Sequence, residues 1–346
     1  MTVIKEASEL DKLLGTARRV LIMQADNPDG DSLGSALALE QIIGDMDKQP
    51  LMYCAVDIPT YLRYMDGWDR IQKDIPSSFD LSIMVDVSAD SLFDLLNKSN
   101  QRGWVASKPC IIIDHHNVET SISYATLVIN RRAVATSEVI YELAKTLTWP
   151  LNLQAKNMIT TAIMSDSLGL TTEDTSARSI EIVSELVAGG VKIAELDNKR
   201  RELSRKSPDL VHYKGDLLKR VEYFSDNKVA IVTIPWAEIE RYSNEYNPSM
   251  LVLDDMRQTT NTAVAVAFKT YNDGRVTAKI RCNYGFGIAN ELAKHFGGGG
   301  HKYASGFRVT DGRTYDEIKS ECIELATELI NNLEQERPNE APQHSI

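Results

Sequence analysis

The sequence predicts an α/β protein of two lobes: an N-terminal lobe built on a mostly parallel sheet with helices on both faces, and a smaller C-terminal α/β lobe. Three observations lead there. Apolar, β-rich runs alternate with helical patterns through the first half of the chain, a charged helical stretch without strand patterns interrupts them, and apolar strand runs resume beyond it. The length of 346 residues also suits two cores better than one, since domains usually hold about 100 to 200 residues.

In the first lobe the strand runs are RVLIMQ (19–24), PLMYCAV (50–56), LSIMVDV (81–87) and PCIIID (109–114). Unbroken apolar runs of this length are what a parallel sheet covered on both faces requires. Leu33, Leu37, Ile42 and Ile43 recur at helical spacing over 33–45, and further helical patterns span 136–146, 153–164 and 177–188, where Gly189-Gly190 stops the last. These place the first lobe at 1–190, a linker helix region at 191–220 and the second lobe at 221–333. In the second lobe VAIVTIP (229–235), AVAVAFKTY (263–271) and VTAKIRCNY (276–284) read as strands, and 236–242, 288–296 and 315–333 as helices. Residues 334–346 have no apolar periodicity and are expected to form a mobile tail.

The composition, 43% hydrophobic and 25% charged, is that of a globular protein. Neither a membrane span nor a signal peptide is evident, so the chain is expected in the cytoplasm. Cys54, Cys110, Cys282 and Cys322 are far apart and form no zinc pattern, which leaves reduced core thiols as the expectation. A net charge of −11 disfavours a track for long DNA, because counterion release from a polyanion needs a broad basic face. One basic run, Lys199-Arg200-Arg201 with Arg205 and Lys206, offers phosphate contacts, the commoner reading being a solvated helix face.

The chemistry concentrates at strand ends. The first strand runs into Asn27-Pro28-Asp29-Gly30-Asp31, a tight turn that brings two carboxylates to one side above a helix N-terminus. Asp86 directly follows LSIMV, and Asp114-His115-His116 directly follows CIII. Strand ends of a parallel sheet open into one crevice, so these residues converge. Asp166 lies where an apolar helix breaks at Ser165 and Gly169. Singly, each has an ordinary reading as a turn, a helix cap or a packed pair. Together, acids and imidazoles at one sheet edge point to a divalent metal centre.

The N-P-D-G-D run, Asp86, Asp114-His115-His116 and Asp166 stand in the order and spacing of the four motifs of the DHH phosphoesterase family, and the chain resembles that family over about residues 15–325. Its second lobe is similar to the first type of DHH-associated domain, marked by a glycine run ending in histidine, here Gly297-Gly298-Gly299-Gly300-His301. The resemblance implies a centre of two manganese ions, with magnesium as the other candidate: Asp29 on the first ion, Asp31 on the second, Asp86 bridging, and His115 and Asp166 completing the second. Asp114 would orient an imidazole and His116 would face the substrate phosphate. In the second lobe Arg281, Gly298, Gly299, Gly300 and His301 would hold substrate. One departure stands out: Ala25 occupies the position of a family histidine ligand, with Gln24 and Asp26 beside it. Within the family, the acidic charge and compact length favour the NrnA type, an oligoribonuclease that also removes phosphate from pAp. The alternatives are a phosphodiesterase acting on c-di-AMP or pApA and a nucleotide-binding protein whose centre is weakened at Ala25. The oligomeric state, a homodimer included, is left open.

Overall fold

The computed structural model describes residues 5–116 and 118–335, and the chain divides into two units between Arg205 and Lys206. The first comprises α1 (Ala7–Thr16), β1 (Arg19–Met23), α2 (Gly30–Gly44), β2 (Gln49–Tyr53), β3 (Leu81–Val85), α3 (Asp94–Lys98), α4 (Arg102–Ala106), β4 (Cys110–Asp114), β5 (Leu127–Asn130), α5 (Thr136–Thr146), α6 (Leu153–Asp166), α7 (Ala177–Ala188) and α8 (Ile193–Leu203). Its strands are all parallel, in the order β2-β1-β3-β4-β5. That order reverses between β1 and β3, and a crevice opens at such a switch point beyond the carboxyl ends of the strands.

Side chains alternate along each strand with period two. Val20, Ile22, Ile83, Val85, Ile111 and Ile113 enter one core with residues of α2, α5, α6 and α7, while Leu21, Met23, Met84, Cys110 and Ile112 enter another with Phe93, Leu96 and Val105. Both faces are thereby covered. The edge strand β5 is not among the sequence-based strands, because four residues of which only two are buried carry too short a pattern. Helix α6 also extends beyond its expected end at 164 to Asp166, and the chain breaks where Leu168, Gly169 and Leu170 take φ of 49°, 77° and 69°.

The second unit comprises α9 (Pro208–Lys219), β6 (Glu222–Phe224), β7 (Val229–Ile234), α10 (Trp236–Tyr242), α11 (Leu253–Arg257), β8 (Val264–Thr270), β9 (Val276–Cys282), α12 (Ala289–His295), β10 (Gly299–His301), β11 (Ala304–Val309) and α13 (Tyr315–Gln335). Its sheet runs β10-β11-β9-β8-β7-β6, and only the β7–β8 pair is parallel. Residues Val276, Ala278, Ile280 and Cys282 of β9 pack with α12 and α13, and the opposite sheet face, through Ala265 and Ala267, packs with α9, α10 and α11. The stretch 191–220 thus holds two helices, one in each unit. The last helix takes in Glu334 and Gln335, and the remainder of the expected tail, 336–346, lies outside the described residues. All four cysteines are free and buried. No helix among the described residues is long and apolar enough to cross a membrane.

Candidate metal centre

The turn after β1 is built by its own side chains. Asp29 caps α2, its Oδ1 accepting from the backbone N–H groups of Asp31 at 3.1 Å and Ser32 at 3.0 Å, and the Ser32 hydroxyl takes the Asp29 N–H in return. The intervening glycine is a packing requirement: a Cβ on Gly30 would lie 1.9 Å from Ser165 Oγ and 2.6 Å from Ser165 Cβ. One turn later, a Cβ on Gly34 would lie 2.7 Å from the Ala162 methyl and 3.0 Å from the Met158 carbonyl. Helices α2 and α6 therefore touch backbone to backbone, which sets Asp166 at the end of α6 beside Asp31 at the start of α2.

Asp31 is fixed from a third element. Its Oδ2 accepts from Thr136 N–H at 2.6 Å, and its Oδ1 from Ser137 N–H at 3.2 Å and Ser35 Oγ at 3.1 Å. The N-cap residue of α5, Ala135, has no side chain to cap with, so a carboxylate distant in sequence does it. Asp86 departs from the strand pattern: its φ is +58°, left-handed and uncommon for a side chain other than glycine or asparagine. Val85 and Val87 consequently lie in different cores, although alternation alone would place them on the same face. The turn presents the Asp86 carboxylate to Thr136, whose hydroxyl donates to it at 3.2 Å.

His115 joins these groups. Its Nδ1 lies 3.0 Å from the Ala133 carbonyl, which can only accept, so Nδ1 carries a proton and Nε2 is the ring atom left to face the carboxylates. That Nε2 lies 3.5 Å from Asp86 Oδ1, 3.6 Å from Asp166 Oδ2 and 3.9 Å from Asp31 Oδ2. His116 Nδ1 lies 2.7 Å from Asp114 Oδ1 and 3.7 Å from Asp86 Oδ1. Two overlapping sets of ligand atoms result, Asp31–His115–Asp166 and Asp86–His115–His116, each within 4.8 Å.

The electrostatics of the cluster favour a cation. Burial raises the Asp31 carboxyl against the pull of His115, and burial followed by the charges of Asp31, Asp29, Asp166 and Asp114 raises Asp86 well above the usual range. Burial and then Asp31 push Asp166 up to about 6. The hydrogen bond to Asp114 raises His116. Asp114 is itself fully buried, and its Oδ2 has no partner among the described residues. Carboxylates that raise one another, beside an imidazole nitrogen that faces them, form a donor set that fits a divalent ion.

Other residues singled out from the sequence are placed differently. Asp29 is exposed, lies outside both ligand sets and spends Oδ1 on the α2 cap. Ala25 packs among Met23, Tyr53, Met84 and Val87. Beside it, Asp26 Oδ2 accepts from Leu95 N–H at 2.7 Å, and Gln24 is fully buried with both amide atoms lacking a partner among the described residues. Arg281 and the glycine run with His301 belong to the second unit. There β10 pairs with β11, Gly300 has φ +140°, and a Cβ on Gly298 would lie 2.2 Å from the Gly306 carbonyl. Gly299 has neither demand, nothing lying within 4 Å of its Cβ position. The basic run on α8 and just beyond it is answered by acids: Lys199 by Asp66, Arg200 and Arg201 by Asp197, and Arg205 by Glu202. The donors Thr136, Ser137 and Ser35 were not singled out from the sequence. The helix start at Thr136, preceded by an alanine where a capping side chain belongs, is the signal that points to them.

With this geometry in view, known proteins give a consistent answer. Residues 19–170 match the DHH family, N-terminal domain, and residues 227–333 match the DHHA1 domain. The chain belongs to the DHH family of phosphoesterases. It is similar to the bifunctional oligoribonuclease and PAP phosphatase NrnA of Thermus thermophilus, 24% identical over 88% of each chain. The same-named protein of Bacillus subtilis is 22% identical over 93% of this chain and 99% of that one. In fold it resembles an exopolyphosphatase-related protein from Bacteroides fragilis, with a TM-score of 0.82 at 20% identity, covering 94% of this chain and 97% of that structure.

Proposed function

We propose that this DHH phosphoesterase acts in the cytoplasm on short oligonucleotides and small nucleotides such as pAp and pApA, using two divalent ions, with manganese preferred and magnesium the substitute. The observation that carries the reading is the convergence of Asp31, Asp86 and Asp166, from three separate elements, on Nε2 of His115. The two NrnA relatives, named for oligoribonuclease and PAP phosphatase activity, support the substrate class.

In this reading Asp31, Asp86, His115 and Asp166 would hold one ion, and Asp29 and Asp86 would supply carboxylates for the other. Bound divalent ions lower the pKa of a coordinated water and neutralise charge on phosphoryl oxygens. The chain itself supplies rigidity. Thr136, Ser137 and Ser35 pin Asp31, the Ala133 carbonyl fixes the His115 tautomer, and Asp114 aims the His116 ring so that its other nitrogen can face a phosphate. Arg281 and His301 serve substrate binding in the second unit, arginine through its planar fork of donors.

Hydrolysis of pAp, pApA and a 20-nucleotide RNA across a manganese titration tests the proposal. Activity on pAp and pApA should vanish in excess chelator, return with manganese, and exceed the rate on the 20-mer by at least about tenfold, because an acidic protein offers a long strand little counterion release. Activity surviving in chelator would remove the metal assignment, and equal rates on dimer and 20-mer would remove the short-substrate assignment. Tight nucleotide binding without turnover in ample manganese would favour a binding protein weakened at Ala25.

A further inference from the structure

A pocket of about 520 Å³ in the second unit lies between the 247–250 segment and strands β9 and β11. Lys269, Lys279, Ser249, Gly298, Gly306 and Arg308 are among its lining residues. The two lysines stand on the same sheet face, Lys279 opposite Ala267 and Lys269 opposite Thr277 in the β8–β9 ladder. Their contacts are neutral: Lys269 Nζ donates to Asn247 Oδ1 at 2.8 Å, and Lys279 Nζ lies 3.9 Å from the Met250 sulfur, a weak acceptor. Neither has a carboxylate partner among the described residues, although other lysines of this acidic chain do, including Lys228 with Glu334 and Lys319 with Glu222.

Burial lowers Lys269 to about 8, with the charge of Lys279 adding to it, and burial followed by the charge of Arg281 lowers Lys279. A third group is also incomplete. Ser249 is fully buried, and its hydroxyl has no hydrogen-bond partner among the described residues. Buried polar groups seldom remain unpaired, and this one belongs to a residue that lines the same pocket as the two lysines. Gly298 and Gly306 add a wall of bare backbone, since the strands approach too closely there for any side chain: a Cβ on Gly306 would lie 2.7 Å from the Ala278 carbonyl.

We propose that Lys269, Lys279 and the Ser249 hydroxyl form a phosphate-binding subsite that holds a phosphomonoester group of a nucleotide. The assignment to a nucleotide rests on the function proposed above, whereas the affinity for phosphate rests on the pocket. Its volume leaves space for part of the nucleoside beside the phosphate. Two ammonium groups and a hydroxyl match the charge and acceptor number of a phosphomonoester.

The test uses the full chain with manganese present and AMP, inorganic phosphate and adenosine as probes. Calorimetry should show AMP binding at least about tenfold weaker in the Lys269→Met, Lys279→Met double variant than in the native chain, by the loss of charge-assisted bonds, with partial recovery in the corresponding double arginine variant. AMP and inorganic phosphate, but not adenosine, should protect Lys269 and Lys279 from an amine-acylating reagent read by mass spectrometry, a measurement on the unaltered protein. Native affinity in the methionine variant, or labelling unchanged by AMP and phosphate, would overturn the subsite. Protection of the lysines in a protein that hydrolyses no nucleotide would leave the subsite standing and remove the hydrolytic reading. Hydrolysis of pAp without protection would remove the subsite alone.

Discussion

Beyond the parallel sheet, burial and mutual repulsion push Asp31, Asp86 and Asp166 upward in pKa; on the mixed sheet, burial and neighbouring cations push Lys269 and Lys279 downward. The physics is the same with the sign reversed: each cluster is short of a counter-ion. The two differ in how they are held. Backbone N–H groups and hydroxyls clamp the acids, and one acid sits on a strained left-handed residue, so the acid site is set before any ligand arrives. The lysines stand on flexible stems whose hydrogen-bond partners among the described residues are an amide oxygen and a thioether, so their geometry is completed by whatever binds.

The largest effect expected from this contrast is at Asp86. Asp86→Asn keeps the shape of the side chain and removes its charge. Turnover should fall at least about 100-fold, the upper end of what the loss of a supporting contact to a metal ligand costs. The metal-free variant should nonetheless melt at a higher temperature than the metal-free native chain, because one repelling carboxylate is gone. Manganese should raise the melting temperature of the native chain much more than that of the variant. Near-native turnover in Asp86→Asn, measured beside its melting curves, would show that the cluster is not a metal centre.

A smaller loss is expected at Gly34, which carries no metal-binding side chain. Gly34→Ala drives a methyl into Ala162 and the Met158 carbonyl and separates α2 from α6. Overpacking of this kind costs about 1 to 3 kcal/mol, and because Asp31 and Asp166 ride on the two helices, manganese affinity should fall with stability. Gly299→Ala in the second unit, where nothing lies within 4 Å, should leave the melting temperature unchanged. Equal melting temperatures for the two alanine variants would contradict the close contact of α2 and α6.

These glycines also show how far the sequence could be read. Alternating apolar runs made the strands of the first sheet legible, because a strand buried on both faces writes its whole length in Val, Ile and Leu. The strands β5, β6, β10 and β11 were not legible, since β5, β6 and β10 hold only three or four residues, all of them exposed in β10, and β11 opens on the small residues Ala304-Ser305-Gly306. Asp31, Asp86, His115 and Asp166 were legible as a group from their positions at element ends. Their support was not: the Thr136 and Ser137 N–H groups that hold Asp31 lie 105 and 106 residues away, and a backbone donor has no sequence signature. In the sequence Lys269 and Lys279 show only polar alternation on a strand. Only the tertiary packing of the 247–250 segment reveals that they meet an amide and a thioether there, and that no acid pairs with them among the described residues.

The smallest effect expected is at Lys269, and its sign depends on pH. An ammonium lowered from its ordinary 10.5 to about 8 is penalised in its charged form by the fold. Below about 8 the folded and unfolded chains are both protonated there and the penalty is complete; between about 8 and 10.5 the folded chain releases its proton first and the penalty fades. In phosphate-free buffer at pH 7, Lys269→Met should therefore raise the melting temperature by about 2 °C, the scale of a contribution under 1 kcal/mol in a unit of this size. That gain should shrink as the pH is raised towards 10. Saturating AMP should reverse the order at pH 7, because a ligand that binds the native lysines stabilises the native chain and not the variant. A gain that stays constant from pH 7 to 10 would trace the stabilisation to the apolar methionine instead of the removed charge, and would leave the second unit without the electrostatic deficit that mirrors the acids of the first.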